Sequence, residues 1–117
     1  MPGPVWLPEV VGDPAGMRAL ASALRRSADQ ISQIDADVSA AVSSMTFEGP
    51  AGERFRSAAA TTGRRATSAA ERLQSLAGTL ERSATEVEQA QAERLRRLEE
   101  MRRELEAARE QRATATP

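Results

Sequence analysis

The sequence predicts an all-α protein: an antiparallel helical hairpin with a long second helix, pairing into a dimeric four-helix bundle. Three observations predict it. Every proline lies at position 2, 4, 8, 14, 50 or 117, which leaves two long stretches free of the residue that breaks helices. Within each stretch large apolar residues recur at alternating steps of three and four, the spacing of one helix face. Between them stands Thr46-Phe47-Glu48-Gly49-Pro50, a short break that supplies both Gly and Pro.

The elements follow in order. Residues 1–12 form a Pro-rich apolar tail in which Val5, Trp6, Leu7, Val10 and Val11 surround the prolines. That is more apolar than a free tail requires, so Trp6 is a candidate contact, either on the helices of its own chain or a dimer-mate, or on another partner. The hairpin is expected over 13–85, with its first helix over 13–45. Asp13 is placed to act as the N-cap and Pro14 as the first helical residue, where a missing N–H is harmless. From there Met17, Leu24, Ile31, Val38 and Met45 occupy a positions, and Leu20, Ser27, Ile34 and Ala41 d positions, of a heptad seam. Ala21, Ala28 and Val42 widen the seam towards a bundle face, while Arg18, Arg25, Asp29 and Ser32 mark the wet side.

The turn is expected over 46–49 and the second helix from 50 to about 112, with Gly49 as N-cap and Pro50 as its first residue. Phe55, Ala59, Thr62, Ala66, Ala69, Leu73, Leu76, Leu80, Ala84 and Val87 fall along one side. Between Phe55 and Leu73 those residues are small, which permits close helix approach and contributes little buried area. After Val87 strict continuation would place Arg94 on the seam, so the spacing predicts a stutter-like slip near Gln91. Residues 86–112 then read as a charged helical extension, with Glu93/Arg97, Arg96/Glu100, Glu99/Arg103 and Arg102/Glu106 each four apart. Leu95, Leu98 and Leu105 give this extension a candidate partner stripe, and 113–117 read as a flexible tail.

Length makes pairing necessary in this reading. At about 1.5 Å per residue the first helix spans about 48 Å, which 50–81 can match, leaving the rest of the second helix without an intramolecular partner. Two helices also cannot enclose so wide an apolar face on their own. The expected bundle core is Leu20, Leu24, Ile31, Ile34, Val38, Leu73, Leu76 and Leu80, with Phe47, Gly49 and Phe55 forming the turn motif.

Composition removes most chemistry. The 117 residues include no His, Cys or Tyr, and the only aromatics are Trp6, Phe47 and Phe55. His/Cys metal sites, thiol nucleophiles and His-based acid/base steps are therefore excluded, and no enzyme, metal or cofactor is expected. A net charge of −1, with 16 basic residues that are all Arg against 17 acidic, lacks the cationic surplus of a nucleic-acid binder. No apolar run approaches the roughly 20 residues of a membrane span. Residues 83–117 carry eight Glu against seven Arg, which does not suit a helix lying on a membrane surface. Met1 to Val11 has no basic residue, so the charged start of a cleaved secretory signal is missing.

Two helices of roughly 30 to 40 residues around an aromatic-x-Gly turn form a pattern that resembles the WXG family of early-secreted-antigen-like proteins. These are substrates of the type VII (ESX) secretion system of actinobacteria and other Gram-positive bacteria. The matching residues are Phe47-Glu48-Gly49 in place of Trp-x-Gly, then Pro50-Ala51-Gly52-Glu53-Arg54-Phe55, similar to the Gly-x-Ala-x-x-x-Phe continuation of that turn. Gly12-Asp13-Pro14 resembles the opening of many such chains, and the likeness covers about residues 12–85. It implies a hairpin that pairs as a homodimer or heterodimer with another WXG-like protein and is exported folded by a membrane ATPase, without a cleaved signal peptide. The family's Tyr-x-x-x-Asp/Glu export signal has no counterpart, because the chain contains no Tyr. Three readings follow: a partner carries the signal, the chain is the leading domain of a longer effector, or it is not exported. The rival to the secretion reading is an intracellular coiled-coil scaffold or adaptor, cytoplasmic, whose working part is the long second helix.

Overall fold

A computed structural model describes residues 11–115, and Trp6 with the rest of residues 1–10 lies outside them. Two helices make up the fold: α1, Pro14–Ser44, and α2, Gly49–Ala115. Asp13 stands immediately before α1, and α2 continues past Arg112 to Ala115. The last turn of α1 closes through Met45 N–H donating to the Val42 carbonyl at 3.3 Å. Ser44 Oγ also donates to the Ala41 carbonyl at 2.8 Å, meeting one of the acceptors that a helix end leaves open. Among the described residues two compact units are distinguished: 15–82, and 11–14 with 83–115.

The 15–82 unit is the antiparallel hairpin, and its seam differs from the expected one. The buried apolar side chains in it are Ala21, Ala28, Ala70 and Ala77. Along α1 the covered positions include Met17, Ala21, Leu24, Ala28, Ile31, Asp35 and Val42, so the inward stripe leans to the a and e positions of the heptad, with Ser27 the covered d position and Val38 and Met45 exposed a positions. Along α2 they are Ala59, Gly63, Ala66, Ala70, Leu73, Ala77 and Leu80, which turns Thr62, Ala69 and Leu76 outwards. The register is set where Asp35 Oδ1 comes within 3.1 Å of the Cβ position of Gly63. Seven residues back on α1 and seven forward on α2, Ala28 falls level with Ala70, and seven further Ala21 falls level with Ala77. Small residues at every seventh position let the backbones approach closely, and Gly63 makes room for the one carboxylate on the seam.

A polar clasp holds one edge of this unit. Arg25 Nε donates to Glu81 Oε1 at 2.9 Å and its Nη1 to Gln74 Oε1 at 2.8 Å, so one guanidinium on the expected wet side of α1 ties two turns of α2. The arrangement uses the fork geometry that Arg has and Lys lacks.

In the second unit, Gly12 packs so close to α2 that a Cβ there would meet Val87 Cγ1 at 2.8 Å. Gln91 Nε2 donates to the Gly12 carbonyl at 3.3 Å, and Ala84 is fully buried. The covered positions Ala84, Val87, Gln91, Arg94, Leu98 and Met101 keep the three-four spacing unbroken, so the slip expected near Gln91 does not occur. A helix tolerates Gln and Arg on such a stripe because their stems lie along it while their polar ends reach outwards. Exposed ion pairs line the other sides, with Glu93 bonded to Arg97 at 3.1 Å and to Arg96, and Glu99 to Arg102 at 2.6 Å and Arg103 at 3.4 Å. Arg102 also reaches Glu106 at 3.2 Å. Arg96 bonds back to Glu93 three residues earlier, an alternative to the expected four-residue step.

Candidate helical interface

The turn is built from two aromatic rings and two glycines. Phe47 and Phe55 stack with ring centroids 4.8 Å apart and planes inclined at 29°, a geometry worth about 0.5–1.5 kcal/mol beyond area burial. The Arg56 guanidinium sits 5.6 Å from the Phe47 ring centre, and its Nη2 donates to the Phe47 carbonyl at 3.5 Å. Gly49 has φ of +75°, a left-handed conformation that L side chains resist, and the space around it is open. Its glycine is therefore required by backbone angle and not by a close neighbour. The close approach occurs instead at Gly52, which is buried: a Cβ there would stand 2.7 Å from Phe47 Cβ and 3.0 Å from the Phe47 carbonyl carbon. Phe47 thus lies on the first turn of α2 only because residue 52 has no side chain.

From this turn an apolar groove of about 380 Å³ runs along the hairpin, lined by Ile31, Ile34, Val38, Phe55, Ala59 and Thr62 among others. Of the residues expected in the bundle core, Leu24, Ile31, Leu73 and Leu80 are half-buried. Leu20, Ile34, Val38 and Leu76 remain 52%, 62%, 47% and 51% exposed, and Phe55 is 49% exposed. The seam buries the alanines, half-covers Leu24, Ile31, Leu73 and Leu80, and leaves Leu20, Ile34, Val38, Phe55 and Leu76 on the surface. In the other unit Leu98 is half-buried, while Leu95 and Leu105 are exposed.

Electrostatics add no reactive group. The Arg25 guanidinium bonded to Glu81 holds that carboxyl below the usual carboxylate range, and Arg96 and Arg97 do the same to Glu93, as do Arg102 and Arg103 to Glu99. These carboxylates sit in open ion pairs that favour the charged form, without the apolar pocket that would separate an acid from a base. Among the described residues no group of three or more His, Cys, Asp or Glu is placed to hold a metal ion, and no helix is long and apolar enough to cross a membrane.

Sequence reasoning put Ala21 and Ala28 beside the seam and Ala84 on the inner side of α2, but it missed Ala70, Ala77 and the close packing of Gly52 under Phe47. The signal was present in the spacing, since Ala21 and Ala28 on α1 and Ala70, Ala77 and Ala84 on α2 recur at intervals of seven. Ranking positions by hydrophobic bulk concealed it.

The described residues thus form an all-α helical hairpin with a glycine-shaped aromatic turn and a groove lined by large apolar side chains. The family model for WXG100, described as proteins of 100 residues with WXG, matches residues 11–92, and the chain belongs to that family. The family is one of small helical proteins associated with type VII secretion substrates, whose members pair with other WXG proteins; it is not a family of enzymes. No curated protein and no solved structure matches the chain.

Proposed function

We propose that this chain is a type VII secretion substrate or secretion-partner domain that acts by pairing its hairpin with a second WXG-like hairpin, a copy of itself or a related chain. The observation that carries the proposal is the division of labour between small and large residues. Buried alanines hold α1 against α2, while Leu20, Ile34, Val38, Phe55 and Leu76 stay about half-exposed. Completing the burial of five such side chains is worth about 1 kcal/mol apiece, a gain available only from another protein surface. A second helical hairpin fits best, because its ridges can fill the groove between Val38 and Thr62 and close a four-helix bundle.

In this reading the pair is the unit delivered to the secretion system's membrane ATPase, and the turn carrying Phe47, Gly49 and Phe55 is part of the shape the machinery meets. Export proceeds without cleavage of a signal peptide, and the Tyr-based signal is supplied by the partner or by a domain that this hairpin leads. The test is fractionation of a tagged copy in an actinobacterial host, with and without a working type VII ATPase and with a candidate partner co-expressed. The chain reaches the supernatant only when the ATPase works; retention in the cytosol with the partner present would overturn the proposal.

A further inference from the structure

The α2 edge of the hairpin groove is basic. Phe55, Thr62, Ala69 and Leu76 follow one another at intervals of seven along α2. The groove that begins at Phe55 and Thr62 is continued by a hollow lined by Arg65, Ala69, Arg72, Leu73 and Leu76. Arg65 and Arg72, themselves seven apart, flank this stripe and are exposed. Among the described residues neither guanidinium has a hydrogen bond or an ion pair. Sequence explains why: the residues three and four away from each are Thr, Ser, Ala or Leu. Arg96, Arg97, Arg102 and Arg103, by contrast, each have a Glu at that spacing and bond to it.

An Arg beside an apolar stripe lays its stem along it and presents its fork to whatever is seated there. Seven residues of helix rise about 10.5 Å, so two carboxylates seven apart on a facing helix would meet both forks. A second copy of this chain does not offer them. On the same side its carboxylates are Asp35, half-buried on the seam against Gly63, and Asp37, which accepts from Gln33 Nε2 at 3.0 Å. Its own α2 edge repeats Arg65 and Arg72. We infer that the occupant of the groove is a WXG-like hairpin of different sequence, with Asp or Glu seven residues apart beside its apolar stripe, opposite Arg65 and Arg72. The inference rests on the pairing proposal and narrows it to an acidic-edged partner. Opposite charges at the edge align that partner, and like charges disfavour the copy.

An acidic-edged probe can be made from the full chain itself, since Arg65→Glu with Arg72→Glu sets two carboxylates seven apart. Wild type and this variant are mixed in equal amounts and followed by native mass spectrometry, which resolves their masses. Exchanging two like-charge contacts for two ion pairs should favour the mixed pair about tenfold over the self-pairs at low salt, and the preference should fade at high salt. Arg65→Ser with Arg72→Ser should pair with itself more tightly than wild type does. Adding Ile34→Asp and Val38→Asp to the Arg-bearing member should remove the mixed pair. A mixed pair no more abundant than random exchange gives would overturn the inference and leave the pairing proposal standing. So would a Ser variant that pairs with itself more weakly than wild type, because its Arg side chains would then have met partners on the copy. Pairing absent from every mixture, or a mixed pair that survives the Asp substitutions, would remove the pairing proposal as well.

Discussion

Replacing Ala77 with Leu tests whether the hairpin is held by close approach of its backbones. Ala77 is fully buried and falls level with Ala21, which is equally buried, so a Leu there has no space to enter without pushing α1 from α2. Overpacking a filled site costs about 1–3 kcal/mol, and here the upper half of that range applies, because the residue opposite is already the smallest with a Cβ. For a domain of this size each kcal/mol corresponds to about 4–8 °C in Tm. The Leu side chain would itself favour burial by about 2 kcal/mol at a site that could adapt, so a ranking by hydrophobicity alone gives the opposite sign. The control is Ala36→Leu, at an exposed position on the far side of α1, which should stay within about 0.5 kcal/mol of wild type. The assay is thermal and urea unfolding followed by circular dichroism at one fixed protein concentration, since the proposed pairing would make Tm depend on concentration. An Ala77→Leu chain as stable as wild type, or more stable, would refute the alanine seam.

Three further outcomes follow. Gly49→Ala should lose about 1–2 kcal/mol through its φ of +75° alone, leaving the ring stack in place, because nothing lies near its Cβ position. Gly52→Ala, although helical propensity favours it, should displace Phe47 and weaken the stack with Phe55, visible in the chemical shifts of both rings. Because Arg25 holds the Glu81 carboxyl below its ordinary value, this pair's stabilisation is fully present above about pH 4.3, the unfolded Glu pKa. It is lost as pH falls through the lower folded value, so Glu81→Gln should flatten part of the acid limb of the stability curve.

The ends of the elements were legible because they depend on local chemistry. Pro14 and Pro50 mark the starts of the two helical stretches, and Glu93, Glu99 and Arg102 find partners three or four residues away on their own helix. The inward face of the hairpin was not legible in the same way. A hydrophobic stripe shows that a face seeks burial but not whether its partner is the same chain or another, and here bulky d positions such as Leu20 and Ile34 stay exposed while Ala21 and Ala28 go inside. Gly52 was read only as part of the turn motif, and its packing role was hidden for a related reason. A glycine inside a helical pattern reads as a weak point until the residue lying on it, Phe47, is known from three dimensions. The slip expected near Gln91 rested on treating Arg94 as too polar for the stripe, and its long stem makes that unnecessary.

The central claim is that the half-exposed groove is a pairing surface, and its most direct test is molar mass by light scattering over a range of concentrations. The wild-type chain should pair, with itself at twice its 12.6 kDa or with a co-expressed WXG-like hairpin, and Ile34→Asp combined with Val38→Asp should return it to the single-chain mass with helicity retained. A wild-type chain that stays at 12.6 kDa at every concentration and binds no such hairpin, or a double variant that pairs as well as wild type, would contradict the account.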